Sequence, residues 1–353
     1  MEVLSSSLKM SSHNLKRFAI ILAGGQGERF WPMSRPEMPK QFLTIFNNKP
    51  LIQQTLERLK GFFKNDERIL IIPKQLKSIT HRFAKGSTIF VEPMRRNTAP
   101  AICLTAMTLK RKYGDGIIHV MPADHMIGPT SSFHKALACG EGYAVKGRLI
   151  TYGIKPTRPE TGYGYIKVGK RVDKEEPRSK AVPVFTSDGF LEKPTLTRAR
   201  QYLHSGKYLW NAGIFTFRIS TLLSEIKQYI PAVFEGVKEY LATENIRYFA
   251  RIPDISIDYG IMEKSSRINV VLGKFTWDDV GSWSALGRYF KKDHDHNICI
   301  GDAMGLEMHD TYIYTYGAPV RVYGVNDLII VASPYGTLVC KKEKAADLKK
   351  LLH

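Results

Sequence analysis

Short apolar runs alternate with longer stretches of helical spacing through the first third of the chain. Residues 17–23 (Arg-Phe-Ala-Ile-Ile-Leu-Ala) are apolar, partly β-branched, and stop at Gly24-Gly25. That is the texture of a buried parallel strand entering a loop. Residues 51–63 place apolar side chains at helical spacing, and 68–72 (Arg-Ile-Leu-Ile-Ile) predict a second buried strand. Residues 88–91 predict another strand, 99–112 an amphipathic helix and 116–121 a further buried strand. Alternation of this kind implies a parallel sheet with right-handed crossovers.

From about residue 152 the pattern is mixed. Short strands are expected at 163–168, 189–191 and 213–217, separated by Pro- and Gly-bearing turns, with helical stretches at 197–204 and 220–239. This reads as the substrate-facing half of the same domain. Beyond about residue 294, the runs 298–301, 311–314, 320–323 and 328–331 are β-rich and joined by Gly, Asn and Asp turns. They predict a small β unit closed by a helix over 344–352. The expected fold is α/β: a Rossmann-like, mostly parallel mixed sheet flanked by helices over 17–293, then a C-terminal β-rich unit over 294–353, for which a β-helix is one form. Residues 1–16 are Ser-rich without an apolar core and predict a disordered extension rather than a secretory signal, with Met10 as an alternative start.

Composition narrows the function. With 43% hydrophobic and 24% charged residues the chain is an ordinary globular one. It has no apolar run near the roughly 20 residues that span a bilayer, so no membrane partner and a cytoplasmic location are expected. Cys103, Cys139, Cys299 and Cys340 form no CxxC pair, which removes support for zinc or thioredoxin-like chemistry and predicts free thiols. The net charge of +19 attracts polyanions. The basic residues are scattered, with doublets such as Lys341-Lys342 and Lys349-Lys350 as the densest groups, and no nucleic-acid motif accompanies them. A basic surface suited to phosphorylated substrates is the preferred reading; no nucleic-acid partner is expected.

The first candidate site follows the first strand: Gly24-Gly25-Gln26-Gly27-Glu28-Arg29, continuing to Pro39-Lys40. Glycines there let backbone N–H groups approach a phosphate, and Arg29 and Lys40 can neutralise its oxygens. The run lacks the GK[ST] ending of a P-loop and is not the dinucleotide GxGxxG pattern. Asp124 lies just past a buried strand, where ligands of open α/β sheets bind, and suits either Mg²⁺ or a turn cap. Trp277-Asp278-Asp279 offers a second carboxylate. Glu92 can accept from both N1–H and N2–H₂ of guanine, or can pair with Arg95 or Arg96 instead. Trp210, Trp277 and Trp283 are read as core, and His125 as structural or supporting.

The run from Leu22 through Arg35 to Lys40 resembles the signature of sugar nucleotidyltransferases, and more narrowly of bacterial mannose-1-phosphate guanylyltransferases. Glu92–Pro100, Pro122–His125, Gly162–Tyr165, Glu192–Pro194, Trp210–Gly213, Ser256–Tyr259 and Trp277–Trp283 follow in the family's order. The resemblance implies GTP and mannose 1-phosphate as substrates, Mg²⁺ as cofactor, and a homodimer through the C-terminal unit as an analogy. It assigns catalytic roles to Arg29, Lys40 and Lys193. Nucleotide binding falls to Leu22, Ala23, Gly24, Gly25, Gly27, Glu28, Glu92, Asn97, Thr98 and Pro122. The sugar falls to Asp124, Tyr163, Gly164, Glu192, Asn211 and Asp258, with Tyr163 in a loop that closes over it. Metal falls to Asp124 and Asp279, with Asp278 in reserve. The alternatives are a transferase for another sugar or base and a non-catalytic nucleotide-sugar-binding regulator.

Overall fold

The computed structural model describes residues 15–172 and 182–352, so most of the expected N-terminal extension lies outside the described residues. The first half contains β1 (Lys16–Leu22), α1 (Leu51–Arg58), β2 (Arg68–Pro73), α2 (Lys77–Phe83), β3 (Thr88–Glu92), α3 (Thr98–Tyr113), β4 (Gly116–Pro122), β5 (Met126–Gly128) and α4 (Thr130–Ala144). The second contains β6 (Leu149–Ile154), β7 (Tyr165–Arg171), β8 (Val184–Leu191), α5 (Leu196–Ser205), β9 (Tyr208–Arg218), α6 (Ile219–Tyr229), α7 (Pro231–Thr243), α8 (Ile246–Ala250), β10 (Ile268–Leu272), β11 (Thr276–Asp278) and α9 (Leu286–Tyr289).

A nine-stranded sheet runs in the order β3-β2-β1-β4-β9-β6-β10-β8-β7. β3, β2, β1 and β4 are parallel neighbours, and β6 is parallel to β10. β9 lies antiparallel between β4 and β6. Apolar clusters cover both faces: Ile20, Ile118 and Phe217 point to one side, Ile21, Leu70 and Ile214 to the other. Two-sided burial is why β2 and β4 read as continuous apolar runs.

Several elements differ from expectation for identifiable reasons. The helical stretch 220–239 is two helices, because Pro231 lacks the N–H to continue α6 and instead opens α7. The strand expected at 213–217 starts at Tyr208, and the one at 163–168 starts at Tyr165, after a turn. β6 and β10 were not among the expected strands: Tyr152 and Gly153 interrupt the apolar run of β6, and Asn269 that of β10, while α4 (Thr-Ser-Ser-Phe-His-Lys) opens on residues that favour turns.

The C-terminal strands are β12 (Ile298–Ile300), β13 (Ala303–Leu306), β14 (Tyr312–Thr315), β15 (Val320–Tyr323), β16 (Leu328–Ser333) and β17 (Gly336–Lys341). β12, β14 and β16 stack in parallel on one face, and β13 and β15 on another, in the manner of successive coils. β17 closes the stack by pairing antiparallel to β16. The expected closing helix is a 3₁₀ turn over Lys342–Asp347 followed by α10 (Lys349–Leu352). Among the described residues no disulfide joins the cysteines, and no helix is long and apolar enough to cross a membrane.

One cluster joins this unit to the sheet domain. Phe30, Leu43, Val280, Trp283, Ile298, Ile329, Leu338 and Leu348 pack together. Phe30 is fully buried, with its ring 5.2 Å from Trp283 and edge-on to Phe46 at 5.9 Å. Phe30→Ala is therefore expected to cost about 3–5 kcal/mol, read as a lower urea midpoint; an unchanged midpoint would mean that this joint contributes little to stability.

Candidate active site

Strand order reverses beside β1, with β2 and β3 laid down on one side and β4 on the other. A crevice at the carboxyl ends of strands follows from such a reversal. Here it is a cavity of about 360 Å³ lined by Leu22, Ala23, Gly24, Gly25, Glu92, Asn97, Thr98, Pro122 and Asp124, all foreseen, and by Gln41, Arg95 and Ala123, which were not. The strand ends are pinned from below: Gln41 Nε2 donates to the Ala23 carbonyl at 2.8 Å and Thr55 Oγ1 to the Ala123 carbonyl at 3.0 Å. Glu92 ends β3 and faces Gly24, where a Cβ would stand 3.3 Å from its Oε1. Burial raises the Glu92 carboxyl, opposed by the nearby Arg95 guanidinium. Asn97 caps α3 through its side chain, and Thr98 Oγ1 accepts from Ile257 N–H at 2.9 Å.

Gly27 and Glu28 do not line this cavity. Gly27 has φ +66°, and a Cβ on it would stand 2.3 Å from that of Lys40. Its place is to let Lys40 approach. Glu28 turns instead to Lys349, whose Nζ is 3.1 Å from its Oε2.

Lys40 is the hub. It is buried, its Nζ lies 2.9 Å from Asp124 Oδ2, and it donates to the Asp279 carbonyl. Burial alone would raise the Asp124 carboxyl. The charge of Lys40, with hydrogen bonds from Lys40 and the backbone, outweighs burial and holds it below the usual range. His125 is lowered, chiefly by burial, and its Nδ1 accepts from Trp277 Nε1 at 3.0 Å, as a neutral imidazole can. Asp279 Oδ1 accepts from the Tyr163 hydroxyl at 2.7 Å, and Arg158 Nη2 donates to that hydroxyl at 3.1 Å. Arg29 and Asp279 flank Gly281: a Cβ there would stand 3.4 Å from Arg29 Nη1 and 2.9 Å from Asp279 Oδ2.

The two neighbouring aspartates have different surroundings. Both oxygens of Asp278 are gripped by Arg288, and Oδ1 also accepts from Val280 N–H at 2.8 Å. Asp279 faces the cluster of Lys40, Tyr163 and Arg29. Among the described residues no three His, Cys, Asp or Glu side chains converge as a metal cage. The Asp124 carboxylate beside Lys40, and the carboxylate of Asp279, whose backbone Lys40 also holds, nonetheless fit Mg²⁺, which binds through one or two carboxylates and completes its shell with phosphate and water oxygens.

A second polar group lies across Tyr163. Gly164 has no room for a Cβ, which would sit 2.5 Å from Glu192 Oε2. Asn211 Nδ2 donates to Asp258 Oδ1 at 3.0 Å, and Asn211 Oδ1 accepts from Thr151 Oγ1 at 2.9 Å. Lys193, in the left-handed region at φ 46°, stands outward with its Nζ 3.7 Å from Glu192 Oε1. Tyr163 itself is 6% exposed, with rings of Trp210 and Trp277 against it. It forms part of the floor beneath Asp279 rather than a cover over the site. Trp210, Trp277 and Trp283 are buried, as expected. Arg158, Gln41 and Arg288 were missed: each meets its partner only through the folding of an irregular loop, so no helical or strand periodicity marks it.

Asp258 is pushed up to about 7 by burial and by the charge of Glu192. Its folded value lies above the unfolded one, near 3.9. Ionisation thus opposes folding above the unfolded value, and the full penalty is present only above about pH 7. Asp258→Asn removes that penalty. Its melting temperature relative to the parent is expected to rise between pH 5 and pH 8; a difference independent of pH would show an unperturbed carboxyl.

Known proteins resemble this chain in sequence and in fold. Residues 18–296 match the nucleotidyl transferase family, and residues 301–353 match the mannose-phosphate isomerase/GMP-like β-helix domain. A mannose-1-phosphate guanylyltransferase of Escherichia coli is 39% identical over 94% of this chain and 72% of its own length. A putative mannose-1-phosphate guanylyltransferase of Vibrio cholerae is 37% identical over 94% of this chain and 73% of its own. A solved structure from Thermus thermophilus, described as a mannose-1-phosphate geranyltransferase, superposes with TM-score 0.86 at 35% identity, over 96% of this chain and 98% of that one. By sequence, by fold and by its paired domains, this chain belongs to the nucleotidyl transferase family, among the mannose-1-phosphate guanylyltransferases.

Proposed function

We propose that the chain joins GTP and mannose 1-phosphate to give GDP-mannose and pyrophosphate, as a cytoplasmic enzyme. One observation carries the site assignment: a single cavity has both Glu92 and Asp124 in its lining, and Asp124 is paired with Lys40, which also donates to the Asp279 backbone carbonyl. The first group suits guanine, whose N1–H and N2–H₂ can both donate to a carboxylate. The second suits phosphate and a divalent cation.

An oxygen of the sugar phosphate attacks the α-phosphorus in line. A new P–O bond forms as the bond from the α-phosphorus to the bridging oxygen breaks, and that oxygen leaves with pyrophosphate. The nucleophile is already an anion, so no general base is needed, and positioning and charge neutralisation carry the catalysis. Lys40 neutralises charge at the transferred group, and Arg29 that on the departing pyrophosphate. Lys193, exposed beside Glu192, aims the sugar phosphate. Glu192, Asn211 and Asp258 receive the hexose hydroxyls. Mg²⁺, held by Asp124 and Asp279, would screen the negative charge shared by the two reacting phosphates. Arg158 and Tyr163 hold the Asp279 carboxylate in place.

Pyrophosphate release with mannose 1-phosphate and Mg²⁺, compared across GTP, ATP, UTP, CTP and dTTP, tests this reading. Release is expected with GTP and lost on adding EDTA. Release with a different nucleotide would remove the guanine role of Glu92. No release across a panel of sugar phosphates would favour the non-catalytic regulator. Asp124→Asn is expected to abolish turnover while the melting curve stays cooperative; normal turnover in that variant would refute the metal assignment.

A further inference from the structure

The loop after β1 is held from outside the sheet domain. Gly336, at the tip of the β16–β17 hairpin, has no room for a side chain: a Cβ would stand 2.8 Å from the Trp31 ring. Arg35 stacks on Tyr335, its guanidinium carbon 3.3 Å from the ring centre, and Trp283 Nε1 donates to the Trp31 carbonyl at 2.9 Å. Beside these contacts runs a polar chain. Lys349 Nζ in α10 lies 3.1 Å from Glu28 Oε2. With the Gln26 amide oriented to satisfy both neighbours, its nitrogen donates to Glu28 Oε1 at 2.8 Å and its oxygen accepts from Arg95 Nη1 at 3.0 Å. Arg95 is part of the cavity lining, near Glu92.

We propose that Lys349 is a positioning residue for the nucleotide cavity: through Glu28 and Gln26 it fixes Arg95 in the cavity lining, so that the C-terminal unit helps set the affinity for a nucleoside triphosphate. The physical ground is the competition for Glu28. Its side chain is only 17% exposed, so its carboxylate is poorly served by water. Its partners include the Lys349 ammonium and the Gln26 amide. Loss of the ammonium takes a full positive charge from beside that carboxylate and strengthens its pull on Arg95, which is already one amide away. The guanidinium then leaves the place where triphosphate or base would meet it. Lys349 touches no substrate; its effect passes entirely through the loop.

The inference rests on the reading that this cavity takes GTP. Its test is calorimetric titration of the full chain with GTP and Mg²⁺, together with KM for each substrate and thermal melting, for the parent, K349E and K349R. Because the pair is partly exposed, K349E is expected to weaken GTP binding about three- to tenfold. KM for mannose 1-phosphate and the melting temperature should stay at parental values, and K349R should bind GTP as the parent does. A purely structural role would not give that split. GTP binding by K349E equal to the parent's would overturn this inference alone. So would an equal loss in both substrates' KM. A parent protein that binds no nucleoside triphosphate would overturn the reading of the cavity and this inference with it.

Discussion

One buried ammonium organises the centre of the molecule. Lys40 reaches the carboxyl ends of β1 and β4, meets Asp124 there, and also ties down the backbone of Asp279, 239 residues further along the chain. A buried charge must be compensated or it destabilises the fold. Compensation by Asp124 and the Asp279 carbonyl therefore fixes the loop after β11 against the start of the sheet. Gly27 makes the approach possible, since any side chain there would overlap Lys40. Tyr163 and Arg158 then hold the carboxylate of the same Asp279. Loss of Lys40 would leave an uncompensated Asp124 as well as a missing cation.

Much of this was legible in the sequence because the relevant groups sit at strand ends. A buried parallel strand announces itself as an apolar run, and the residues just past it are the ones that meet a ligand. Leu22 to Gly25, Glu92 and Asp124 follow that rule and meet in one cavity. The antiparallel β9 and the buried β6 were only partly visible or not at all, because Tyr, Gly and Asn interrupt their patterns while tertiary packing still buries them. Glu28 shows a different limit. It lies within the signature run, yet a loop's sequence does not say which way a side chain leaves it, and this one leaves toward α10. Arg158, Arg288 and Gln41 show a third: irregular chain brings them to their partners, and irregular chain has no periodicity to read.

The position of β9 has a mechanical consequence. Being antiparallel, it delivers its amino end, with Asn211, to the same edge of the sheet where β4 delivers its carboxyl end, with Asp124. Backbone hydrogen bonds to β4 on one side and to β6 and β7 on the other lock that juxtaposition. The separation between Asp124 and Asn211 is therefore set by the lattice of the sheet. On the proposed reading the sheet works as a rigid gauge: with the base at one end and the hexose at the other, a nucleotide sugar one bond longer or shorter between them would fail to fill both ends at once.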